Sequence, residues 1–219
     1  MASKHGMLAN FMFRPRLHGT SDTQFSHSLW SEDMERNAFY DVHSDLKLSN
    51  IAYHWLGGLC KHGPALVALT NPTTNAYRRD GISECPAKFN WGINNRRVAY
   101  RVQNESQNGC RIEVRYPAAC NPYLTLAAVV AAGLDGIKNK LPCSREYDPC
   151  ATPLPKTLPE ALEALQEDDV IVDALGENLI RWFIESKCQV DLKYMEGFDL
   201  AKNDADAIQK ERDLYADYA

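Results

Sequence analysis

The stretch RIEVRYP at residues 111–117 decides the fold class. Charged and β-branched residues alternate along it, and this period of two is typical of a half-buried β-strand. The alternation predicts that the two aliphatic side chains face the core and that the three charged side chains share the opposite face. The charged row consists of Arg111, Glu113 and Arg115. Such a row can be a solvated ion-pair ladder on an antiparallel sheet or part of a binding surface, and the strand alone does not decide between them.

More charged residues lie close to this strand in the sequence. Arg96 and Arg101 belong to strand-like runs just upstream, and Arg79 and Glu84 lie in a polar loop before those runs. Arginine and glutamate in loops between rigid elements often carry function. The guanidinium group has a permanent charge and a planar set of donors that match carboxylate and phosphate oxygens. The neighbourhood therefore favours a binding surface.

Apolar spacing indicates helices on both sides of the strands. From Leu48 onward, apolar residues recur every three or four positions with Ser49 or Asn50 as the cap, and Pro64 is expected to kink or divide this helix. Asn121 and the proline after it begin a second helix, which is apolar nearly all round and is therefore predicted to be buried.

A proline-rich connector at residues 142–159 separates the C-terminal part of the chain from the rest. Amphipathic spacing after it predicts helices between Leu158 and about Tyr194, whose aromatic residues serve packing. Residues 197–219 are strongly charged, and we expect a solvated helix with weak anchoring there.

Composition limits the class of protein. The 219 residues with 45% hydrophobic content suit one domain or part of a larger one. The formal net charge of −5 disfavours nucleic acid as a partner, and the absence of any run of 18 apolar residues disfavours a membrane span. Without a signal-peptide pattern the sequence favours a soluble, cytoplasmic protein. Seven scattered cysteines without a C-x-x-C pair indicate reduced thiols rather than disulfides or zinc.

Four blocks of sequence resemble the C-terminal half of the catalytic domain of the glutamine synthetase family, in the family's order. The blocks are NPTTNAYRR (71–79), FNWGINNRRVAYRV (89–102), RIEVRYP (111–117) and NPYLTLAAVVAAGLDGIKNK (121–140). The resemblance runs from about Lys4 to about Ala174. It implies an α+β fold in which an antiparallel sheet carries the site face and is packed with helices. It also implies that residues 1–219 are a partial catalytic domain, lacking the family's N-terminal β-grasp domain and the first half of the catalytic domain.

The resemblance further implies a set of site residues. The family joins ammonia to glutamate with ATP and Mg²⁺ or Mn²⁺. By position, Glu84 matches a catalytic glutamate that helps to take a proton from ammonium, in a loop that is one residue shorter than the family's. The matched binding residues are Arg79 and Arg115 for the substrate, Arg96, Arg101 and Arg111 for nucleotide phosphates, and Glu113 for a metal ion.

The sequence departs from the family pattern at positions that carry chemistry. The family's histidine pattern falls on Gln24 and Ser26, and an amide oxygen is a poorer ligand for a divalent ion than imidazole. A lysine that contacts nucleotide in the family is replaced by Asn108. His27 lies one residue out of phase, so it is predicted to lie on the opposite face of its strand.

Two functions of different class follow from these departures. The first is a glutamine synthetase-type ligase whose catalysis by this chain alone is impaired. The second is a non-catalytic structural or interaction protein of the lengsin type, a branch of the family that the sequence after Leu162 resembles. A truncated product of a longer chain is a third interpretation of the missing half. In each case we expect a homo-oligomer and no nucleic-acid or membrane partner.

Overall fold

The computed structural model describes residues 2–7, 9–16, 20–79 and 85–215. Within these residues, one mixed sheet is packed with helices, which confirms the predicted α+β class. The strands are β1 (Phe25–His27), β2 (Trp91–Ile93), β3 (Tyr100–Gln103) and β4 (Arg111–Val114), in the spatial order β1-β4-β3-β2. The α-helices are α1 (Asn50–Thr70), α2 (Pro122–Lys138), α3 (Leu158–Gln166), α4 (Asp169–Leu175), α5 (Glu177–Ser186) and α6 (Ala205–Tyr215). Short 3₁₀ turns lie at Ala2–His5 and Thr74–Tyr77, and a π-helical turn at Lys187–Leu192 follows α5. Among these elements, no helix is long and apolar enough to cross a membrane.

The strand β4 lies inside the sheet and pairs antiparallel with both β1 and β3. Its two aliphatic side chains, Ile112 and Val114, are fully buried, as the alternation predicts. The remaining pair, β2 with β3, is parallel, so the sheet is mixed rather than wholly antiparallel. Asn94 adopts a left-handed conformation with φ of 49° at the end of β2, and the following residues return the chain to the start of β3.

The helices α1 and α2 cross at very short distance because glycines occupy the contact. A Cβ atom on Gly58 would lie 2.1 Å from the carbonyl oxygen of Ala132, and one on Gly136 would lie 2.1 Å from that of His54. A Cβ atom on Gly133 would enter the ring of Trp55 at 2.2 Å. This crossing forms the centre of the hydrophobic core, into which the inner face of the sheet also packs.

Two predictions about these helices need correction. Pro64 lies inside α1 and does not divide it: the helix continues to Thr70, because residues on both sides of the proline are buried in the same core. The helix α2 begins at its predicted cap, where the Asn121 side chain accepts hydrogen bonds from two backbone N–H groups. It is buried on one side only: Tyr123 is 82% exposed and Leu134 is 50% exposed, on the side that faces away from α1.

The C-terminal helix is firmly anchored, contrary to the prediction of a solvated helix. Ala207 and Glu211 on α6 are fully buried, and Tyr215 at its end is 8% exposed. The charged composition of the segment does not indicate this anchoring, because one of its carboxylates, that of Glu211, is buried together with its ion-pair partner Arg78.

Candidate functional site

Glu113 lies at the centre of the charged face of the sheet. The register places Arg101 on β3 directly opposite Glu113 on β4. Arg101 Nη1 donates to Glu113 Oε2 at 3.1 Å, and Arg115 Nη1 donates to Glu113 Oε1 at 2.6 Å. The Glu113 side chain is only 5% exposed, so both carboxylate oxygens are paired with guanidinium groups away from bulk water. Such charge-assisted bonds are among the strongest that side chains form.

Gln24 closes this cluster from the neighbouring strand. It comes just before β1, in which Ser26 pairs with Glu113. In the amide orientation that satisfies both groups, Gln24 donates to Glu113 Oε1 at 2.5 Å and accepts from Arg115 Nη1 at 3.2 Å. Gln24 is therefore part of a closed network with Glu113 and Arg115.

The described residues of this face do not fit a divalent metal ion. Hard cations require several oxygen or imidazole ligands, and no group of three or more His, Cys, Asp or Glu side chains in the described parts of the chain could hold one. Glu113, the predicted metal ligand, already has two arginines on its oxygens.

His27 belongs to the core and not to the charged face, as its phase in the strand predicts. Its Nε2 accepts a hydrogen bond from Trp55 Nε1 at 2.9 Å, and its ring stacks on Phe25 and contacts Phe39 edge-on. Burial lowers the pKa of His27 to about 4, although a backbone hydrogen bond at Phe25 acts in the opposite direction. A neutral histidine in this position serves packing.

Arg79 lies at the base of the polar loop and is held from several sides. Its Nη2 donates to Asn71 Oδ1 at 2.6 Å and to the carbonyl of Tyr116 at 2.5 Å, and its Nε donates to the carbonyl of Ala76 at 2.9 Å. The guanidinium carbon lies 4.6 Å from the centre of the Phe13 ring. Burial is the main influence on this group and lowers the pKa of Arg79 from its ordinary value. The contact with Tyr116 places Arg79 close to the residues that directly follow β4, which include Arg115.

Arg79, Arg96, Arg101, Arg111 and Arg115 together form what we call the arginine face. Two of its N–H groups are not used in hydrogen bonds within the described residues. Arg79 Nη1 and Arg101 Nε are buried and have no hydrogen-bond partner among the described residues. Arg96 and Arg111 are exposed, and the backbone carbonyl of Arg96 accepts a bond from Arg115 Nε at 3.0 Å. Buried N–H groups without a partner are rare in proteins and are satisfied when an anion binds. Glu84, the predicted catalytic residue, lies outside the described residues.

Two polar clusters elsewhere have no counterpart in the sequence analysis. In the first, the ring nitrogens of His62 on α1 contact Asp168 at 2.7 Å and Asp135 at 2.9 Å. In the second, Arg78 pairs with Glu211 in the interior. The partners are more than 70 residues apart in the sequence, so local spacing gave no signal of either cluster.

A cavity of about 880 Å³ lies between the C-terminal helices and the start of α2. Its walls include Phe11, Pro122, Val190 and Leu214, and it is lined by none of the predicted site residues that the structure describes. The cavity is mostly apolar and is not the site that the sequence predicts.

The fold and the site define an α+β domain whose sheet presents an arginine-rich face suited to carboxylate and phosphate ligands. Comparison with known proteins gives the family. The profile of the family described as "Glutamine synthetase, catalytic domain" matches residues 1–199, and the chain belongs to this family.

Relatives and solved structures agree with this assignment. The chain is 39% identical to the glutamine synthetase of Thermotoga maritima, and the match covers 85% of this chain and 46% of the relative. It is 37% identical to the glutamine synthetase of Pyrococcus abyssi, and that match covers 98% of this chain and 52% of the relative. Among solved structures, one described as "GmaS/ADP complex-Conformation 1" matches with a TM-score of 0.79 and 32% identity, and one described as "Apo GmaS without ligand" with 0.81 and 34%. Each structural match covers 90% of this chain and 48% of the other. The chain thus spans about half the length of the relatives that it matches.

Proposed function

We propose that this chain is the arginine-bearing half of a glutamine synthetase-type catalytic domain, which binds anionic substrate groups and does not perform the ligation by itself. In this proposal Arg79 and Arg115 bind the carboxylate of glutamate. Arg96, Arg101 and Arg111 bind the phosphates of ATP or ADP. The observation that carries the proposal is the pairing of Glu113 with Arg101 and Arg115, beside two buried guanidinium N–H groups that have no hydrogen-bond partner within the described parts of the chain.

The loss of turnover follows from charge. Transfer of a phosphoryl group to a carboxylate brings two anions together, and the barrier falls when positive charge is placed where negative charge develops. Family members use metal ions for part of that charge, but the described residues here do not fit a metal ion. Gln24 and Asn108 stand where the family has a histidine and a lysine, so two further groups are missing. Removal of one such donor commonly lowers the rate by about 10² to 10³.

Anion binding survives these losses. Guanidinium groups remain charged at any pH at which the protein is folded, and their donors fit phosphate and carboxylate oxygens in pairs. One of the related structures is described as a complex with ADP, which makes ADP the natural probe for this chain. Exposed arginines are screened by salt, so the affinity for ADP is expected to fall as the ionic strength rises.

A purely structural protein of the lengsin type is the second candidate. The closed network of Gln24, Glu113 and Arg115 favours it, because a carboxylate whose oxygens already have protein partners stabilises the sheet without any ligand. The two candidates differ in one property: the first binds ADP through its arginines and the second does not.

Titration calorimetry with ADP, with and without Mg²⁺, tests the proposal. We expect weak binding that does not require the metal, and its loss in Arg101→Ala and Arg111→Ala. Arg97→Ala is the matched control, because Arg97 is exposed in the same turn but is not a predicted site residue. Equal affinity in all variants, or no binding by the unmodified chain, would favour the structural protein.

A second measurement addresses turnover. We expect no glutamate-dependent release of phosphate from ATP by this chain with Mg²⁺ or Mn²⁺, and no recovery in Gln24→His. Production of glutamine above background, abolished by Glu84→Ala, would show that the chain is a competent ligase.

A further inference from the structure

Arg78 and Arg79 are neighbours in the chain, but their side chains contact different parts of the protein. Arg79 contacts Asn71, the carbonyl of Tyr116 and the ring of Phe13, close to the C-terminal end of β4. Arg78 contacts the C-terminal segment, more than 120 residues later. The backbone that joins the two arginines therefore links the C-terminal helix to the arginine face.

The contact between Arg78 and the C-terminal segment is fully buried. Arg78 Nη2 and Nε donate to Glu211 Oε1 at 3.0 and 3.2 Å, and both side chains are 0% exposed. Arg78 Nη1 donates to the carbonyls of Asp199, Leu200 and Lys202. An arginine has five N–H donors, and here its three nitrogens all bond to residues of the C-terminal segment.

The same carboxylate also fixes the 3₁₀ turn that precedes Arg78. Glu211 Oε2 accepts from Asn75 Nδ2 at 2.8 Å. Asn75 in turn accepts from the backbone N–H of Arg14 at 2.7 Å, and the end of α6 contributes a further bond from Thr74 N–H to the hydroxyl of Tyr215 at 3.2 Å. The turn is thus bonded to α6 at several points along its length.

Glu211 is the carboxylate that pairs with the buried guanidinium group of Arg78. A buried arginine without its carboxylate is an uncompensated charge in a low-dielectric interior, which is strongly unfavourable. Loss of the Glu211 charge would therefore drive the Arg78 side chain towards water and shift the turn. Arg79 would move with it, because the two residues share a peptide bond and a displacement of about 1 Å is enough to impair a positioned group.

We propose that Glu211 is a positioning residue for Arg79: it fixes Arg78 and the turn before it, and thereby the backbone from which Arg79 reaches a substrate carboxylate. The statement about the substrate rests on the proposed function. The statement that Glu211 fixes Arg79 rests on the contacts alone and is tested without any ligand.

Hydrogen exchange of side-chain N–H groups, followed by NMR, is the direct test. Arg79 Nε–H donates to the carbonyl of Ala76, and its signal is identified by its loss in Arg79→Lys. The indole N–H groups of Trp55 and Trp91 are reporters of the core, since they donate to His27 and to the carbonyl of Ser144. We expect Glu211→Gln to accelerate exchange at Arg79 about tenfold or more and to leave both indoles within about twofold of the unmodified protein.

Two further variants complete the experiment. Glu196→Gln is the matched control, because Glu196 is an exposed glutamate in the same C-terminal segment. The double variant Arg78→Met with Glu211→Leu replaces the ion pair by apolar side chains, a change that buried pairs often tolerate. It keeps the segment packed even if Glu211→Gln unfolds, and we expect it to accelerate exchange at Arg79 as well, because the bonds to the turn are gone.

The outcomes separate this inference from the proposed function. The positioning role is overturned if exchange at Arg79 is unchanged in Glu211→Gln and in the double variant. It is also overturned if, in both of these variants, exchange at the two indoles accelerates as much as exchange at Arg79. Faster exchange at Arg79 alone supports it, and a loss of glutamate affinity in Glu211→Gln with unchanged affinity for ADP extends it to the substrate. If exchange responds in this way but the unmodified chain binds no glutamate, the proposed function fails and the positioning role stands.

Discussion

The Nδ1 atom of His62 lies 2.7 Å from Asp168 Oδ2, which joins the middle of α1 to the start of α4. The other ring nitrogen lies 2.9 Å from Asp135 Oδ2 on α2, and Lys61 Nζ lies 3.4 Å from the same oxygen. A neutral imidazole can donate from only one nitrogen, so two carboxylates on one ring indicate the doubly protonated form. His62 thus joins three helices through its charge.

Stability should depend on the protonation of His62. Burial lowers the pKa of His62, but hydrogen bonds to Asp168 and Asp135 outweigh burial, and the pKa is raised above its ordinary value. A raised folded-state pKa means that the stabilisation is complete below the ordinary pKa and is lost as the pH rises through the higher value. We expect the free energy of unfolding to fall with rising pH above about 6.5. Urea unfolding across this range measures it.

A variant assigns the pH dependence to this residue. His62→Gln should remove the decline and lower the free energy of unfolding by about 1.5–3 kcal/mol on the acid side, because two carboxylates lose a charged partner. His43→Gln, at an exposed loop position, is the control and should leave the profile unchanged. Parallel profiles for the unmodified protein and His62→Gln would show that the cluster does not titrate in this range.

Glu113→Gln should destabilise the protein and strengthen anion binding at the same time. The substitution leaves Arg101 and Arg115 without their carboxylate, and a broken buried pair costs about 3–5 kcal/mol. The freed guanidinium groups then attract an anion, so added phosphate should recover more stability in this variant than in the unmodified protein. Urea unfolding with and without phosphate measures both effects.

The control for this experiment is Glu105→Gln, which removes an exposed glutamate in the turn between β3 and β4. It should change stability by no more than about 0.5 kcal/mol and should not alter the response to phosphate. If phosphate stabilises Glu113→Gln no more than the control, the arginines do not form an anion site.

The orientation of the side chains on β4 could be predicted from the sequence, because the alternation of charged and aliphatic residues is a local pattern. Alternation alone assigned Ile112 and Val114 to the core and Glu113 to the opposite face, and the one-residue offset predicted that His27 does not lie on the face of the family's histidine pattern. The direction of β2 could not be predicted in the same way, because a period of two is the same in parallel and antiparallel strands. The parallel pairing of β2 with β3 depends on the path of the loop after Asn94.

The long-range pairs could not be predicted for a different reason. Charge patterns along a sequence show which residues are polar, but not which of them find a partner in the interior. Arg78 and Glu211 are 133 residues apart, and His62 and Asp168 are 106 apart. Glu211 lies in a strongly charged segment whose composition suggests solvation, and only the buried arginine explains its position.

The close crossing of α1 and α2 should be sensitive to a single methyl group. A Cβ atom on Gly133 would lie 2.2 Å from the ring of Trp55, so Gly133→Ala must displace a buried indole. Overpacking of this kind costs about 1–3 kcal/mol. Ala127→Ser on the exposed side of α2 is the control, with an expected change within about 0.5 kcal/mol. Equal urea midpoints for the two variants would mean that the indole moves aside freely.

The exposed side of α2 should promote self-association. Tyr123, Leu126, Val130 and Leu134 form an apolar stripe along this side, with exposures of 82%, 47%, 37% and 50%. Apolar patches of this kind on soluble proteins usually mark contact surfaces, and β1 and β2 add sheet edges that are paired on one side only in the described structure. We therefore expect oligomers whose size grows with protein concentration in light scattering.

Substitution on the stripe tests whether it is the contact surface. Leu126→Lys combined with Leu134→Lys should shift the protein towards the monomer, because burial of two charges in a contact is strongly unfavourable. Gln166→Lys, on the exposed side of α3, is the control for added charge and should leave association unchanged. Circular dichroism confirms that each variant keeps its helices. A monodisperse monomer at every concentration of the unmodified chain would contradict the prediction of self-association. Equal association of the stripe variant and the control would place the contact elsewhere, at the sheet edges.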